Sequence, residues 1–446
     1  MTHLWVHEWN RVAVGEGGLS RSQADALLAE ARGHSCGGRE GTAILSDHHR
    51  HLTAGQVVGV LAPPGCSLEI LPKVDPDAPD AALADVRRRL VHMLDVALGL
   101  GLSEGGAAPL ARQSETLLDI LIRSFADKLL AEVRRGLPRR YNPCEDDLPA
   151  LRGRLYVVRQ FTAHAVRPDR LACRFDQLEV DTPLMRIMKA AVVFLGKHAR
   201  AAETRRRLIE LRHLLDDVAD VPPRALSWDR VQLDRSNRRW VSLHALAKLF
   251  LKRDWQATHH SARVGEGITL LFPMNDLFEA YVAALMRRAL SGSGVEVVAQ
   301  GGLVRCLGDW SEGQDCQGHA FQTKPDIILR RGGKAVAIID TKWKKLGAPE
   351  DRKHGVSQSD VYQMMAYARL YRCRELVLLY PSAPGTEDLK KATFGIHGGP
   401  ERLRIATLDV ARETSAIVAS LAELCTTRES LHCAGNVENI LVSAAG

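Results

Sequence analysis

The run KPDIILRRGGKAVAIIDTK, residues 324–342, constrains the fold more than any other part of the chain. Its Gly332-Gly333 pair is a strong hairpin signal, because the tight turns that match strand twist need positive φ at their central positions. Two strands are therefore expected to pair antiparallel on either side of it. The second, over residues 335–340, stays apolar from Ala335 to Ile339. A half-exposed strand would alternate with polar residues, so this one reads as central and buried. The hairpin brings Asp326, which opens the first strand, beside Asp340, which ends the second. Unpaired buried charge is costly, so two carboxylates meeting at the end of a buried strand call for a chemical reason.

Two adjacent carboxylates repel each other and favour a divalent cation between them. Hard oxygen donors in small number suit Mg²⁺ or Mn²⁺, which keep several waters and take further oxygens from a phosphate. Lys342 lies two residues past Asp340, so the period of two puts both side chains on one face of the strand. Its ammonium can orient a water or stabilise charge building on a phosphate. Thr341 points the other way, but its carbonyl is a further candidate metal ligand. This is the equipment of metal-assisted phosphodiester hydrolysis. In the following helix Gln363 and Tyr367 stand at i and i+4 and share a face. Glu279, on the helix NDLFEAYVAALM beside Phe278 and Tyr281, has two readings: the solvent edge of that helix, or, by resemblance to several metal-dependent nucleases with a helical glutamate, a residue that helps hold a second metal or a water.

Around this centre the order of elements reads as α/β with a mixed sheet. Helix 275–290 leads to strand 295–304, the hairpin, helix 360–370, strand 376–380 and a last strand at 403–408. Upstream, residues 1–75 read as β-rich, with short apolar stretches broken by Gly, Pro and His. Residues 81–137 turn helical. Residues 138–180 read as loops and short strands. One or two helices are expected over 182–215 after the start signal Asp181-Thr182-Pro183, and another over 242–252. With 446 residues and ~100–200 per domain, two or three domains are expected, and the pattern divides into three. They are a β-rich N-terminal domain (1–75) suited to partner binding, a mainly helical middle region (76–266), and a C-terminal α/β domain with helices flanking the sheet (267–446).

Four C-terminal strings, FPMNDLFEAYV, KPDIIL, AIIDTKWK and DVYQMMAYA, resemble the McrC family, the nuclease subunits of McrBC modification-dependent restriction systems. The strings LTAGQVVGVLAPPGCSLEILPKVD and CRFDQLEVDTPLMRIMKAAVVFL are similar to it as well, so the resemblance touches all three parts of the chain. It implies a PD-(D/E)xK endonuclease that cuts DNA, with Asp326 and Asp340 as metal ligands and Lys342 as the catalytic lysine. The Gln363/Tyr367 spacing is similar to the QxxxY of the RecB-like branch, whose helix packs beside the metal site. The resemblance further implies an N-terminal part that docks into a ring of McrB, an AAA+ GTPase, and stimulates its hydrolysis. The partner carries the recognition of methylated cytosine. No GxxxxGK[ST] occurs in the chain, so no nucleotide is expected to bind this chain alone. Arg39 is the candidate for an activating arginine.

The remaining features bound the reading. A net charge of +7 with pI near 9.0 permits a polyanion partner without establishing one. Arg205-Arg206-Arg207 and Arg238-Arg239 read as solvated helix faces. Trp343, Lys344 and Lys345 are either phosphate contacts or a solvated loop, and His48, His49 and His51 a surface loop. The nine cysteines contain no CxxC pair, so free thiols in a reducing compartment are expected. No apolar run reaches the ~20 residues of a membrane span, and Glu8 interrupts any secretory core, so a cytoplasmic protein is expected. A non-cleaving adaptor of the motor and a stand-alone RecB-like repair nuclease are the alternative functions.

Overall fold

The computed structural model describes residues 2–38, 41–73, 83–102, 116–164, 166, 169–235, 237–252, 268–302, 304–312, 316, 318–344, 346, 355–384 and 390–425. Arg39 and Lys345 lie outside them. The chain divides into two compact units, one of Met1–Gly99, Ala111–Gln113 and Leu271–Gly446, the other of Leu100–Leu110 and Ser114–Leu270. Set beside the expected segments 1–75, 76–266 and 267–446, the first unit takes the first segment, most of the last and the start of the middle up to Gly99, and the second unit takes most of the middle.

The N-terminal part holds β1 (Thr2–His7), β2 (Arg11–Ala13), α1 (Arg21–Gly33), β3 (Leu45–Asp47), β4 (His51–Ala54), β5 (Val57–Ala62), β6 (Cys66–Leu71) and α2 (Leu83–Leu98). The β-rich reading missed α1. Its start is legible as a capping box, in which Ser20 accepts from the Gln23 N–H while the Gln23 side chain accepts from the Ser20 N–H. Its buried face, Ala24, Leu27, Leu28 and Ala31, has helical spacing. β6 lies between β1 (parallel) and β5 (antiparallel). Every residue of β5 and β6 is buried, and these strands pack with α1 and Leu271 into one core.

The second unit contains α3 (Leu117–Arg135), β7 (Arg140–Leu148), β8 (Arg154–Leu155), α4 (Val157–Thr162), β9 (Leu171–Glu179), α5 (Pro183–Gly196), α6 (Ala202–Leu214) and α7 (Val241–Lys252). α5 starts where the sequence signal put it, with Thr182 capping the Met185 N–H and Pro183 in the first turn. β7 and β9 are longer than the short strands expected, nine residues each, and pair antiparallel along their length. Arg207 pairs with Asp127 and Glu203, and Arg239 with Glu132, so the arginine clusters are partly tied into ion pairs.

The first unit resumes with β10 (Ile268–Pro273), α8 (Met274–Ala289), β11 (Glu296–Ala299), β12 (Arg305–Leu307), β13 (Ala320–Gln322), β14 (Ile327–Arg331), β15 (Lys334–Thr341), α9 (Gln358–Tyr371), β16 (Glu375–Pro381), β17 (Lys390–Gly395), β18 (Arg402–Leu408) and α10 (Thr414–Cys425). Of the expected strand 295–304 only β11 (Glu296–Ala299) forms; Gln300, with φ of 51°, follows it, and β12 begins beyond the range at Arg305. β17 and α10 were not anticipated. The mixed sheet runs β11-β14-β15-β16-β18-β17, with β15, β16 and β18 parallel. Ile328, Ile338, Leu376, Leu378, Leu403 and Ile405 on one face pack with Met364, Tyr367 and Ala368 of α9. Each such fully buried aliphatic side chain contributes about 1.5–3 kcal/mol. Ser357 caps α9 by accepting from the Asp360 N–H. The helix is thereby fixed over the sheet at the end where β14 starts and β15 stops.

Candidate active site

The hairpin forms as the sequence predicts. Gly332 and Gly333 have φ of 56° and 79°, and Ile327 pairs with Ile339, Ile328 with Ile338. Continuing that register by one residue sets Asp326 across from Asp340. One Asp326 oxygen accepts from both the Thr341 N–H (2.7 Å) and the Thr341 hydroxyl (2.9 Å). Asp340 has no solvent exposure. Its Oδ2 lies 2.8 Å from Lys342 Nζ, and its Oδ1 accepts from the Gln363 amide at 3.4 Å. Gln363 also accepts from Lys342 Nζ (3.4 Å) and donates to the Tyr367 hydroxyl (2.8 Å). Gln363 thus bridges the lysine, the carboxylate and the tyrosine, as the shared helix face requires.

Burial pushes the carboxyls of Asp326 and Asp340 above the ordinary aspartate range. Repulsion from Asp326 adds to this at Asp340, while the Thr341 donors oppose it at Asp326. Burial disfavours the Lys342 ammonium, but the facing carboxylates of Asp340 and Asp326 outweigh it and hold the lysine charged.

Glu279 is 8% exposed, which corrects the solvent-edge alternative: the face of α8 that carries it turns inward. Burial first, then the Asp326 charge, pushes its carboxyl up to about 8, against a hydrogen bond from Gln300. Gln300 was not foreseen. Its N–H donates to the Asp326 carbonyl at 2.8 Å, and its left-handed backbone turns the chain between β11 and β12. The Gly301-Gly302 pair after it is a local turn signal, but nothing local marks Gln300 as a partner of Glu279. Asp276 and Lys324 also act on the cluster through their charges. Lys324 directly precedes Pro325-Asp326 and was legible by position.

The loop beyond Lys342 is anchored from the N-terminal part of the same unit. The Trp343 indole donates to Glu8 Oε1 (2.6 Å), and the ring packs edge-on against Phe278. Gln56 donates to the Trp343 carbonyl (2.9 Å), and the Asn275 side chain accepts from the Trp343 N–H (3.1 Å). Trp343 is 5% exposed, so it is a wedge rather than part of a solvated loop. Lys344 pairs with Asp360 at 2.6 Å. His48 and His51 stack on each other. The described cysteines are all free.

The donors fit a hard divalent cation held by two carboxylates and a backbone carbonyl, with water completing the shell. Three buried carboxyls, Asp326, Asp340 and Glu279, face one another's charge, and Lys342 is the only lysine bonded to any of them among the described residues. Among the described residues no three His, Cys, Asp or Glu side chains close into a ready-made cage.

These features define an α/β protein whose mixed sheet carries an acidic, lysine-bearing cluster at the end of two central strands. Residues 52–381, more than half of the chain, match the family described as McrBC 5-methylcytosine restriction system component, and the chain belongs to that family. It is 32% identical over 118 residues to the type IV methyl-directed restriction enzyme EcoKMcrBC of Escherichia coli K12. That match covers 26% of this chain and 34% of that protein, so it spans about a third of the curated relative. The fold is similar to that in the half-complex from the tetradecameric assembly of Thermococcus gammatolerans McrB AAA+ hexamers with bound McrC. There the TM-score is 0.70 at 20% identity, covering 95% of this chain and 99% of that chain. A second structure, the cryo-EM structure of the T. gammatolerans McrBC complex, matches with TM-score 0.54 and 23% identity, over 65% of this chain and 88% of that one. Among the described residues no helix is long and apolar enough to cross a membrane.

Proposed function

We propose that this chain is the Mg²⁺- or Mn²⁺-dependent DNA endonuclease subunit of a McrBC-like type IV restriction complex, with a catalytic centre of the PD-(D/E)xK type. The observation that carries the reading is the convergence of Asp326, Asp340, Lys342 and Gln363 at one end of the β14–β15 hairpin. Asp326, Asp340 and the Thr341 carbonyl would hold the cation, with Glu279 positioned to hold a second ion or a water. A bound cation supplies charge neutralisation and a water of lowered pKa. Lys342 orients the attacking water and meets the charge that develops on the phosphate. Gln363, held by Tyr367, fixes the lysine ammonium, and Thr341 fixes the Asp326 carboxylate.

The partner is an AAA+ GTPase ring, whose hydrolysis this chain stimulates. Two observations support this part: the fold is shared with a structure described as McrB hexamers with bound McrC, and the chain has no phosphate-binding GxxxxGK[ST] loop of its own. The test incubates methylated DNA with Mg²⁺ and the full chain, with and without the partner GTPase and GTP, as wild type and as Asp340→Ala. Cutting is expected with wild type plus partner and is lost in the variant, while GTPase stimulation persists. Equal cutting by Asp340→Ala sinks the active-site assignment. Full cutting by the wild-type chain alone sinks the dependence on a partner.

A further inference from the structure

Next to the acidic cluster lies a cleft of about 470 Å³ whose lining includes Glu8, Trp9, Lys73, Lys342, Trp343 and Lys344. Trp9 is 60% exposed and sits at φ of 64°, a backbone conformation that bulky residues rarely adopt. The turn that carries it is fixed on both sides: the Glu8 N–H donates to the Leu71 carbonyl and the Trp9 N–H to the Ala54 carbonyl, each at 3.0 Å. The wall behind is equally fixed. Glu8 is 1% exposed, and its Oε1 accepts from the Trp343 indole (2.6 Å) and the Lys73 N–H (2.9 Å). A large aromatic ring is thus held out to solvent at a cleft whose other walls carry three lysines, one of them Lys342.

A flat exposed ring beside three lysines, of which Lys342 and Lys344 are held by Asp340 and Asp360, matches the chemistry of an unpaired nucleotide, with the base stacked on the aromatic face and the phosphate against the lysine side chains. The volume falls within the ~300–1,000 Å³ of small-ligand pockets, enough for a nucleotide and far too small for a duplex. We propose that this cleft takes one unpaired nucleotide of the DNA strand being cut, with its base on Trp9 and its backbone along Lys73 and Lys344. The N-terminal part of the chain then positions the strand at Lys342. Trp9 is a positioning residue, and the proposal rests on the nuclease reading above.

The test uses the full chain in EDTA, where nothing is cut, and measures fluorescence anisotropy with a labelled 12-nucleotide single strand and with its duplex. Trp9→Ala and Trp9→Asn (asparagine suits the left-handed backbone) are expected to bind the single strand about 10-fold more weakly, the scale of one lost stacked base. Both should bind the duplex within about 2-fold of wild type, as expected where phosphate contacts dominate affinity. Trp9→Phe keeps a ring and should restore most of the single-strand affinity. Lys73→Ala should lower the salt slope of binding by about one. Wild-type affinity in Trp9→Ala and Trp9→Asn overturns the proposal, as does an equal loss on both DNA forms or a Trp9→Phe as weak as alanine. A parallel Mg²⁺ cutting assay with Asp340→Ala separates the two readings. If Asp340→Ala cuts normally while Trp9→Ala has lost the single strand, the nuclease reading falls and the cleft stands. If Asp340→Ala is dead and the Trp9 variants bind normally, the cleft falls alone.

Discussion

Two buried acidic places in the first unit are built by opposite rules. In the N-terminal sheet Glu69 has no exposure and is matched by a dedicated cation: Arg87 reaches it with Nε (2.9 and 3.1 Å) and Nη2 (2.6 Å), and Arg87 is itself 5% exposed. At the end of the C-terminal sheet Asp340 is equally buried but stands among Asp326 and Glu279, and its near cation, Lys342, is shared with Gln363 and drawn by both aspartates. The first arrangement neutralises charge within the fold. The second leaves an excess of negative charge, which the cation of the proposed function would neutralise. An ion pair that completes itself reads as architecture, and a cluster left incomplete reads as a site.

The largest expected effect breaks the second place without touching the first. Lys342→Ala in the partnered complex should lower the cutting rate of the folded fraction by about 10³-fold, the scale of removing a principal charge-stabilising group, and should also lower the urea midpoint because it strands the buried Asp340. A variant that cuts normally removes the lysine from the chemistry. Breaking the first place should do the reverse: Glu69→Gln strands the Arg87 charge and should destabilise the fold by about 3–5 kcal/mol, read by urea denaturation. The cutting rate of the folded fraction should be retained.

The pH dependence of the metal-free fold separates the two places further. Glu279 binds its proton more tightly when folded, up to about 8 against an ordinary value of 4.5. Its stabilising contribution is therefore fully present below about 4.5 and is lost as pH rises through about 8. Melting temperature in EDTA should fall across that window and flatten when Mg²⁺ is added. A profile that rises with pH in EDTA contradicts the raised carboxyl. Asp340→Asn, which removes one of the crowded charges, should stabilise the metal-free chain by about 1 kcal/mol, roughly one pKa unit of relieved mismatch, and abolish the Mg²⁺-induced rise in melting temperature. The smallest effect is expected for Tyr367→Phe. Losing the hydroxyl that holds Gln363 should cost about 0.5–1.5 kcal/mol, seen as a several-fold slower cut with unchanged DNA affinity.

Legibility differed between these two places for a physical reason. The hairpin cluster is local: Asp326 and Asp340 are fourteen residues apart in sequence, joined by one turn, and period two fixes Lys342 relative to Asp340. Gln363 and Tyr367 were legible from helical spacing, because three or four residues make one turn. The Glu69–Arg87 pair joins a strand to a helix and left no pattern. Nor did the clamp on Trp343, which joins positions 8, 56, 275 and 343. Helix α1 was hidden for another reason. Its capping box was present, but the surrounding Gly- and His-broken stretches suggested strands throughout.

The sequence by itself determined the hairpin, the apolar strand that carries Asp340, the helix over it and the pairing of Asp326 with Asp340, because each depends on neighbours in the chain and on backbone periodicity. Only the tertiary structure decided that Glu279 faces inward, that Gln300 meets it, and that the N-terminal strands share a unit with the C-terminal sheet and hold the segment after Lys342. Those contacts are made between residues tens to hundreds of positions apart. Burial and charge at such places are set by what packs against them, and no local pattern in the chain encodes that.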